Sequence, residues 1–394
     1  MEEYNRIKIQ HICSNICSGG TPKSTVTGYY GGDIPWLNTK EISFNRIYKT
    51  EKTITNEGLN NSSAKWIPAK SVIVAMYGAT AGKVAINQIP LTTNQACCNL
   101  IIDSTKADYK FVYYALCHDY NYLSSLANGG AQQNLNAQLI KNFEIPFPSL
   151  EEQKLIANIL SSLDDKIELN RRINENLEQQ AQALFNYYFI EHSEILGDYE
   201  KGNLTEIATY TNGLPMQKFR PQDEEKGMPV LKIKELGQGQ TDNSSDICSE
   251  NIDNEYKITN GDVIFSWSGT LMVKVWCGGL CGLNQHLFKI TSEKYPKWYY
   301  YFWTKFHLNK FIRIAQDKAV TMGHIRRKDL ETSEVLIPKM DILAKLNEII
   351  NPIFNQIIEI ECENKNLAQL RDTLLPHLMS GKLAITDIDN KKTL

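Results

Sequence analysis

The sequence predicts an α+β protein made by internal duplication. Two globular domains of mixed strands and helices are separated by two long helices, packed as an antiparallel coiled coil, with pseudo-two-fold symmetry between the halves. Three observations carry this expectation. Four segments recur in one order at nearly constant offset. Each half changes from short β-branched runs broken by Gly, Pro and Asn to a long stretch with apolar spacing of three to four. The 394 residues are also enough for two cores of ordinary size.

The repeats come first because they set the architecture. Pro35–Ile42 (PWLNTKEI) matches Pro229–Leu236 (PVLKIKEL), and Ser71–Val84 (SVIVAMYGATAGKV) matches Asp262–Val275 (DVIFSWSGTLMVKV). Asn94–Ile101 (NQACCNLI) matches Asn284–Ile290 (NQHLFKI), and Phe143–Leu160 matches Val335–Ile350. Within each copy, SVIVAMY, GDVIFSW and HLFKIT read as strands, and YKFVYYALCHDYNYLSSL as shorter helix.

The long helices follow. From Leu150 to about Glu191 there is no Gly or Pro, and Leu160, Leu163, Ile167, Leu177, Ala181 and Leu184 form one stripe. Leu346, Ile349, Ile353, Ile360, Leu367, Leu370 and Leu374 form the other, with a kink or restart expected at Pro352. Polar stripe members, Asn170 and Asn174 against Gln356 and Glu363, are expected to fix register. The division is 1–149 (first globular domain), 150–197 (long helix), 198–340 (second globular domain), 341–385 (long helix) and 386–394 (tail).

Composition narrows the function. Apolar residues at 42% and charged residues at 22% describe a globular chain. No run reaches membrane-spanning length, the N-terminus lacks a signal-peptide core, and nine scattered cysteines suggest no disulfide framework, so a cytoplasmic location without membrane contact is expected. The net charge of −3 is unevenly spread. Residues 1–150 hold 13 Lys+Arg against 10 Asp+Glu, and residues 198–340 hold 19 against 18. The helical blocks are acidic, with 4 against 9 over 151–197 and 6 against 8 over 341–394. Any footprint for a polyanion therefore lies in the globular parts.

Catalytic motifs are missing. YGATAGKV, Tyr77–Val84, resembles a phosphate loop, but Gly78 and Gly82 are one residue too close. Val84 stands where Ser or Thr is needed, and the following AINQIPLTTN cannot open a helix. The sequence holds no G-x-G-x-x-G after a strand, no G-x-S-x-G, no H-E-x-x-H and no kinase set. Cys13–Cys17 and Cys277–Cys281 have no companion ligands at zinc spacing and read as buried or partly buried free thiols, and Cys97–Cys98 as part of a strand. No cofactor is expected in this chain.

Residues 297–328 carry eight Lys+Arg against the single acidic Asp317, with Lys305, Lys310 and Arg313 expected on one helix side. The loop VTMGHIRRK has its positional counterpart in NGGAQQNLN, Asn128–Asn136. Guanidinium and amide groups are the side chains that pair with base edges in the major groove.

With these segments in view, the sequence resembles the specificity (S) subunit of a type I restriction-modification system over nearly its whole length. The resemblance rests on YGATAGKVAINQIPLTTNQACCNLI and GDVIFSWSGTLMVKVWCGGLCGLNQHLFKI for the target-recognition domains. IPFPSLEEQKLIANILSSLDDKIELN and QAQALFNYYF mark the central helix, and LRDTLLPHLMSGKL the end of the distal one. It implies a non-catalytic subunit whose two target-recognition domains each read half of a bipartite double-stranded DNA site. The helices would set the spacing and dock two modification (M) subunits, which carry S-adenosylmethionine and methylate adenine. Restriction (R) subunits would add ATP and magnesium chemistry. Pro352 and VLIPKMDILAKLNE depart from the pattern and leave the second docking surface less certain than the first.

The DNA contacts expected in the first domain are Lys23, Asn38, Lys40, Tyr77, Thr80, Lys83, Gln132 and Gln133. In the second they are Lys218, Arg220, Lys232, Lys234, Ser268, Thr270, Lys274, His324, Arg326 and Arg327. The alternatives are a coiled-coil scaffold that never touches DNA and a nucleotide-dependent enzyme using Gly78 to Lys83.

Overall fold

The computed structural model describes residues 4–128, 134–317 and 324–382. The chain forms two compact units. One takes the residues up to Asp165 and the segment from Ala368, and the other is Lys166–Leu367.

In the first unit Val72–Ala75 reads Val-Ile-Val-Ala and is buried on both faces, as a strand between two layers must be. It lies in a five-stranded sheet ordered Cys13–Ser18, Cys97–Ile102, Val72–Ala75, Val84–Asn87, Asn45–Ile47. All neighbours are antiparallel except the last pair. A second sheet runs Lys52–Ile54, Tyr30–Leu37, Leu91–Thr93, Trp66–Ile67, paired antiparallel, parallel, antiparallel. The helix Tyr109–His118 packs into the same core as the first sheet through Phe111, Val112 and Ala115. Asp108 caps it by accepting from the backbone N–H of Lys110 and Phe111 at 2.9 and 3.0 Å.

The second unit repeats this plan. Thr209–Asn212, Leu287–Thr291, Val263–Ser266 and Met272–Val275 form an antiparallel sheet in that order. Ile247–Cys248, Met228–Leu231, Cys281–Leu283 and Lys257–Ile258 again pair antiparallel, parallel, antiparallel. The duplication seen in four sequence segments is thus a duplication of strand order.

The long helices are Leu150–Asn186 and Met340–Met379. The first opens on a capping box: Ser149 Oγ accepts from Glu152 N–H at 3.3 Å, and the Glu152 carboxylate accepts from Ser149 N–H at 3.0 Å. Gln153, fully buried, accepts from Asp108 N–H and donates to Pro148 O, both at 3.0 Å. The PSLEEQ segment is therefore a helix start tied to the sheet domain.

Within each unit the two helices run antiparallel. In the first, Asp164 pairs with Arg371 at 2.7 Å while Leu160 shares a core with Leu378. In the second, Asn170 donates to Glu363 at 2.7 Å and Asn174 to Ile357 O at 3.2 Å. Of the polar residues expected to fix register, Asn170 and Glu363 meet, Asn174 bonds a main-chain carbonyl instead, and Gln356 is exposed. The stripe of the second helix also needs correction. Ile349 and Leu370 are each 47% exposed, and the buried apolar positions are Leu343, Leu346, Ile350, Phe354, Leu378 and Met379. The helix runs unbroken through Pro352, so no restart occurs. Pro352 is exposed between buried Ile350 and Phe354, and the Glu348 carbonyl that loses its partner belongs to an exposed residue and can bond water.

Two outcomes follow. Pro352→Ala restores that hydrogen bond and should stabilise the chain by about 1–3 kcal/mol in denaturant unfolding. Asp164 holds both Arg371 and the Tyr114 hydroxyl, the latter at 2.5 Å, in a largely buried network. Asp164→Ala should cost about 1–3 kcal/mol in the same measurement, because it leaves the Tyr114 hydroxyl without its acceptor and Arg371 with Asp372 as its remaining carboxylate partner.

Candidate nucleic-acid interface

YGATAGKV is a tight reversal between antiparallel strands. Val72–Ala75 leads to Tyr77, Gly78 takes φ +70°, Gly78–Thr80 makes one 3-10 turn, and Val84 begins the return strand. Lys83 N–H closes the turn on Thr80 O at 2.9 Å. The reversal opens no helix, so the backbone amides that cradle phosphates in nucleotide sites are not assembled here. In the second unit Gly269 takes the same left-handed conformation, φ +62°, between Val263–Ser266 and Met272–Val275.

Each turn is held against a loop distant in sequence. Tyr77 bridges Asn134, and Leu135 N–H donates to Met76 O at 2.8 Å. Ser268 bridges His324, and Ile325 N–H donates to Trp267 O at 3.0 Å. The two segments expected to read DNA in each half are therefore brought together in each half, with main-chain bonds joining turn to loop.

The individual residues divide into three groups. Lys23, Lys40, Lys218, Arg220, Thr270, Arg326 and Arg327 are exposed, as is Tyr77. Arg326 stands at the start of the short helix Arg327–Glu331, its backbone N–H bound by Asp329 at 2.8 Å, and Arg327 lies 3.7 Å from Glu331. A second group already has work inside the fold. Asn38 Oδ1 accepts from Lys40 N–H at 3.2 Å as a helix cap, and Thr80 Oγ1 donates to Tyr77 O at 3.4 Å. Lys274 Nζ donates to Gly237 O at 2.8 Å, and Ser268, buried, bonds His286 Nδ1 at 3.1 Å. Lys83 is half-buried. Lys232 pairs with Asp246 at 2.5 Å and Lys234 with Asp242 at 3.6 Å. The Lys232 hydrogen bond and charge hold the Asp246 carboxyl below its ordinary range, and Ser244 chiefly does so for Asp242. Third, Gln132 and Gln133 lie outside the described residues, while His324 is half-buried beside Trp267, ring centroids 6.1 Å apart.

Basic residues of helix Lys297–Asp317 have partners within the unit. Lys305 forms an ion pair with Glu178 of the first long helix, and Lys310 donates to Thr332 O at 3.1 Å. Two of the three expected on one helix side are thus engaged inside the unit, and Arg313 is exposed. Among the cysteines, Cys97, Cys98, Cys248, Cys277 and Cys281 are buried, and Cys13, Cys17, Cys117 and Cys362 are half-buried. Burial pushes the Cys13 and Cys281 thiols up to about 12, far from the thiolate form that binds metal or attacks.

Sequence reasoning missed the cluster on the second turn: Trp267 with His286 at 6.0 Å between rings, and the Trp267 indole donating to Asn212 at 3.0 Å. The repeated Asn-Gln pair, Asn94–Gln95 and Asn284–Gln285, was a signal for it, since in each copy the next residue lies beside the turn.

The comparisons agree with this duplicated plan. The chain matches the type I restriction modification DNA specificity domain twice, over residues 1–179 and 197–371. It is 29% identical to the type I restriction enzyme MjaIX specificity subunit of Methanocaldococcus jannaschii, covering 98% of this chain and 95% of that one. It is 24% identical to the EcoKI specificity subunit of Escherichia coli K12, covering 89% and 82%. The crystal structure of the type I restriction-modification S subunit from M. genitalium has the same fold, with a TM-score of 0.57 at 18% identity over 95% of this chain and 96% of that one. Two matched domains in tandem, each carrying the same sheets and the same turn locked to the same loop, place this chain in the type I restriction-modification DNA specificity family.

Proposed function

We infer that this chain selects the DNA target of a type I restriction-modification complex, each unit reading one half of a bipartite duplex site. One observation carries the reading. The same turn-and-loop pair, Tyr77 with Asn134 and Ser268 with His324, occurs once in each of two family-matched units whose exposed side chains differ. A reader of two unlike half-sites needs one scaffold used twice with different tips.

Exposed Lys23, Lys40, Lys218 and Arg220 grip phosphates, and Arg326 and Arg327 flank the second tip. The antiparallel helices set the separation of the half-sites and dock two modification subunits. S-adenosylmethionine belongs to those subunits, ATP and magnesium to the restriction subunits, and this chain is the non-catalytic part. Among the described residues no helix is long and apolar enough to cross a membrane.

The test is to purify the chain with its modification partner and map methylated adenines on genomic DNA. A bipartite motif that disappears without this gene supports the reading, and methylation indifferent to the gene refutes it. Arg326→Ala with Arg327→Ala should abolish methylation at the native site. In binding titrations the same double variant should flatten the dependence of log K on log salt by about 0.9 for each phosphate that is no longer neutralised. Lys83→Ala should weaken duplex binding equally for all sequences, at most about tenfold, and leave the methylated motif unchanged.

A further inference from the structure

The two units can be superposed residue by residue through their hydrogen bonds. Met76 N–H donates to Ala96 O at 2.8 Å, and Trp267 N–H to His286 O at 3.4 Å. Asn94 Oδ1 accepts from Ala96 N–H at 3.1 Å, and Asn284 Oδ1 from His286 N–H at 3.3 Å. Ser18 pairs with Cys98 across the sheet as Asn212 pairs with Phe288. The next residues, Gly19 and Gly213, each lie so close to the carbonyls of the repeated segment that a Cβ would sit within 2.5 Å of them. Ser18, Met76 and Ala96 are therefore the counterparts of Asn212, Trp267 and His286.

At this one place the chemistry diverges. Met76 and Ala96 are buried, with exposures of 3% and 7%. Trp267 and His286 reach the surface, and Asn212 is exposed. The exposed aromatic moves by one residue along the turn: Tyr77 is 42% exposed in the first unit, whereas its counterpart Ser268 is 6% exposed. A change of one position turns the aromatic to the other side of the reversal.

The hydrogen bonds fix what the second cluster offers. The Trp267 indole N–H can only donate, and it donates to Asn212 Oδ1 at 3.0 Å. That turns the Asn212 amide oxygen towards the indole, engages one of its two lone pairs, and leaves the NH2 as donor. The indole, its one polar group satisfied, presents apolar surface. His286 is steadied by Ser268 Oγ at 3.1 Å and stands against the indole. A 470 Å³ cavity opens beside the cluster, walled by Asn212, Trp267, Phe288 and Ile325, with Arg327 also on its lining.

We propose that Asn212, Trp267 and His286 form the base-reading centre of the second unit, and that it selects thymine at one position of the second half-site. Thymine alone among the bases shows the major groove an acceptor, O4, beside a methyl group. The Asn212 amide donates to the acceptor, and the indole packs on the methyl. This rests on the DNA-reading function inferred above.

The chain co-purified with its modification partner selects from a duplex library randomised across the target. Asn212→Ser and Trp267→Met install the first unit's residues. The expected result is a bipartite motif with a thymine in one half, and a preference for that thymine that falls at least about tenfold in either variant while the other half stays unchanged. Should Trp267→Met lower the melting temperature by more than a few degrees, Asn212→Ser decides, because its side chain is exposed. The proposal is overturned by a preference that survives Asn212→Ser, by equal loss in both halves, or by a wild-type motif without thymine in the affected half. A wild-type complex that enriches no bipartite sequence overturns the DNA-reading function itself.

Discussion

In each unit the sheet that carries the turn leaves an apolar face that its own domain does not cover alone, and both long helices add to the cover. In the first unit Ile156, Ala157 and Leu160 arrive from one helix and Leu378 and Met379 from the end of the other, in one core with Phe111 and Val112. In the second unit Phe185 stacks on Phe302 at 5.5 Å, and Leu346, Ile350 and Phe354 close the same core from the opposite helix. Covering apolar surface in this way is the dominant favourable term in folding. Helix pairing and domain folding are thus one event in each unit. Breaking the pairing uncovers the domain cores, which is why Asp164, a helix residue, ties Arg371 and Tyr114 into one network.

How much of this was legible depended on the kind of signal. The duplication, the reversal at Gly78 and Gly269, and the helix start at Ser149 rest on local chemistry that the sequence displays directly. Glycine at a positive φ and a Ser-x-x-Glu box are backbone requirements and cannot be disguised by packing. The apolar stripe of Met340–Met379 was legible only in outline. Ile349 and Leu370 fit the three-four spacing yet face outward, because a straight helix drifts relative to any fixed repeat and the packing surface changes along it. The partners of Lys305 and Lys310 were not legible, because a basic residue on an amphipathic helix looks the same whether it faces open water or a half-exposed acid such as Glu178. The Trp267 cluster was invisible for a different reason. Asn212, Trp267 and His286 lie on three separate strands or turns, and only the fold brings them together.

The way the turns are fixed explains how one fold can serve two recognition tasks. In both units the turn is bound to its loop by the same main-chain bonds, Leu135 N–H to Met76 O and Ile325 N–H to Trp267 O. Backbone bonds make no demand on side-chain identity, so methionine and tryptophan occupy equivalent places with the turn unchanged. The repeated asparagines Asn94 and Asn284 and the crowded glycines Gly19 and Gly213 carry the geometry. The exposed side chains of the turns, Tyr77 and Thr270, take no part in those bonds. Stability and specificity then reside in different atoms of the same few residues, and a tip can change what it reads without the domain beneath it having to refold.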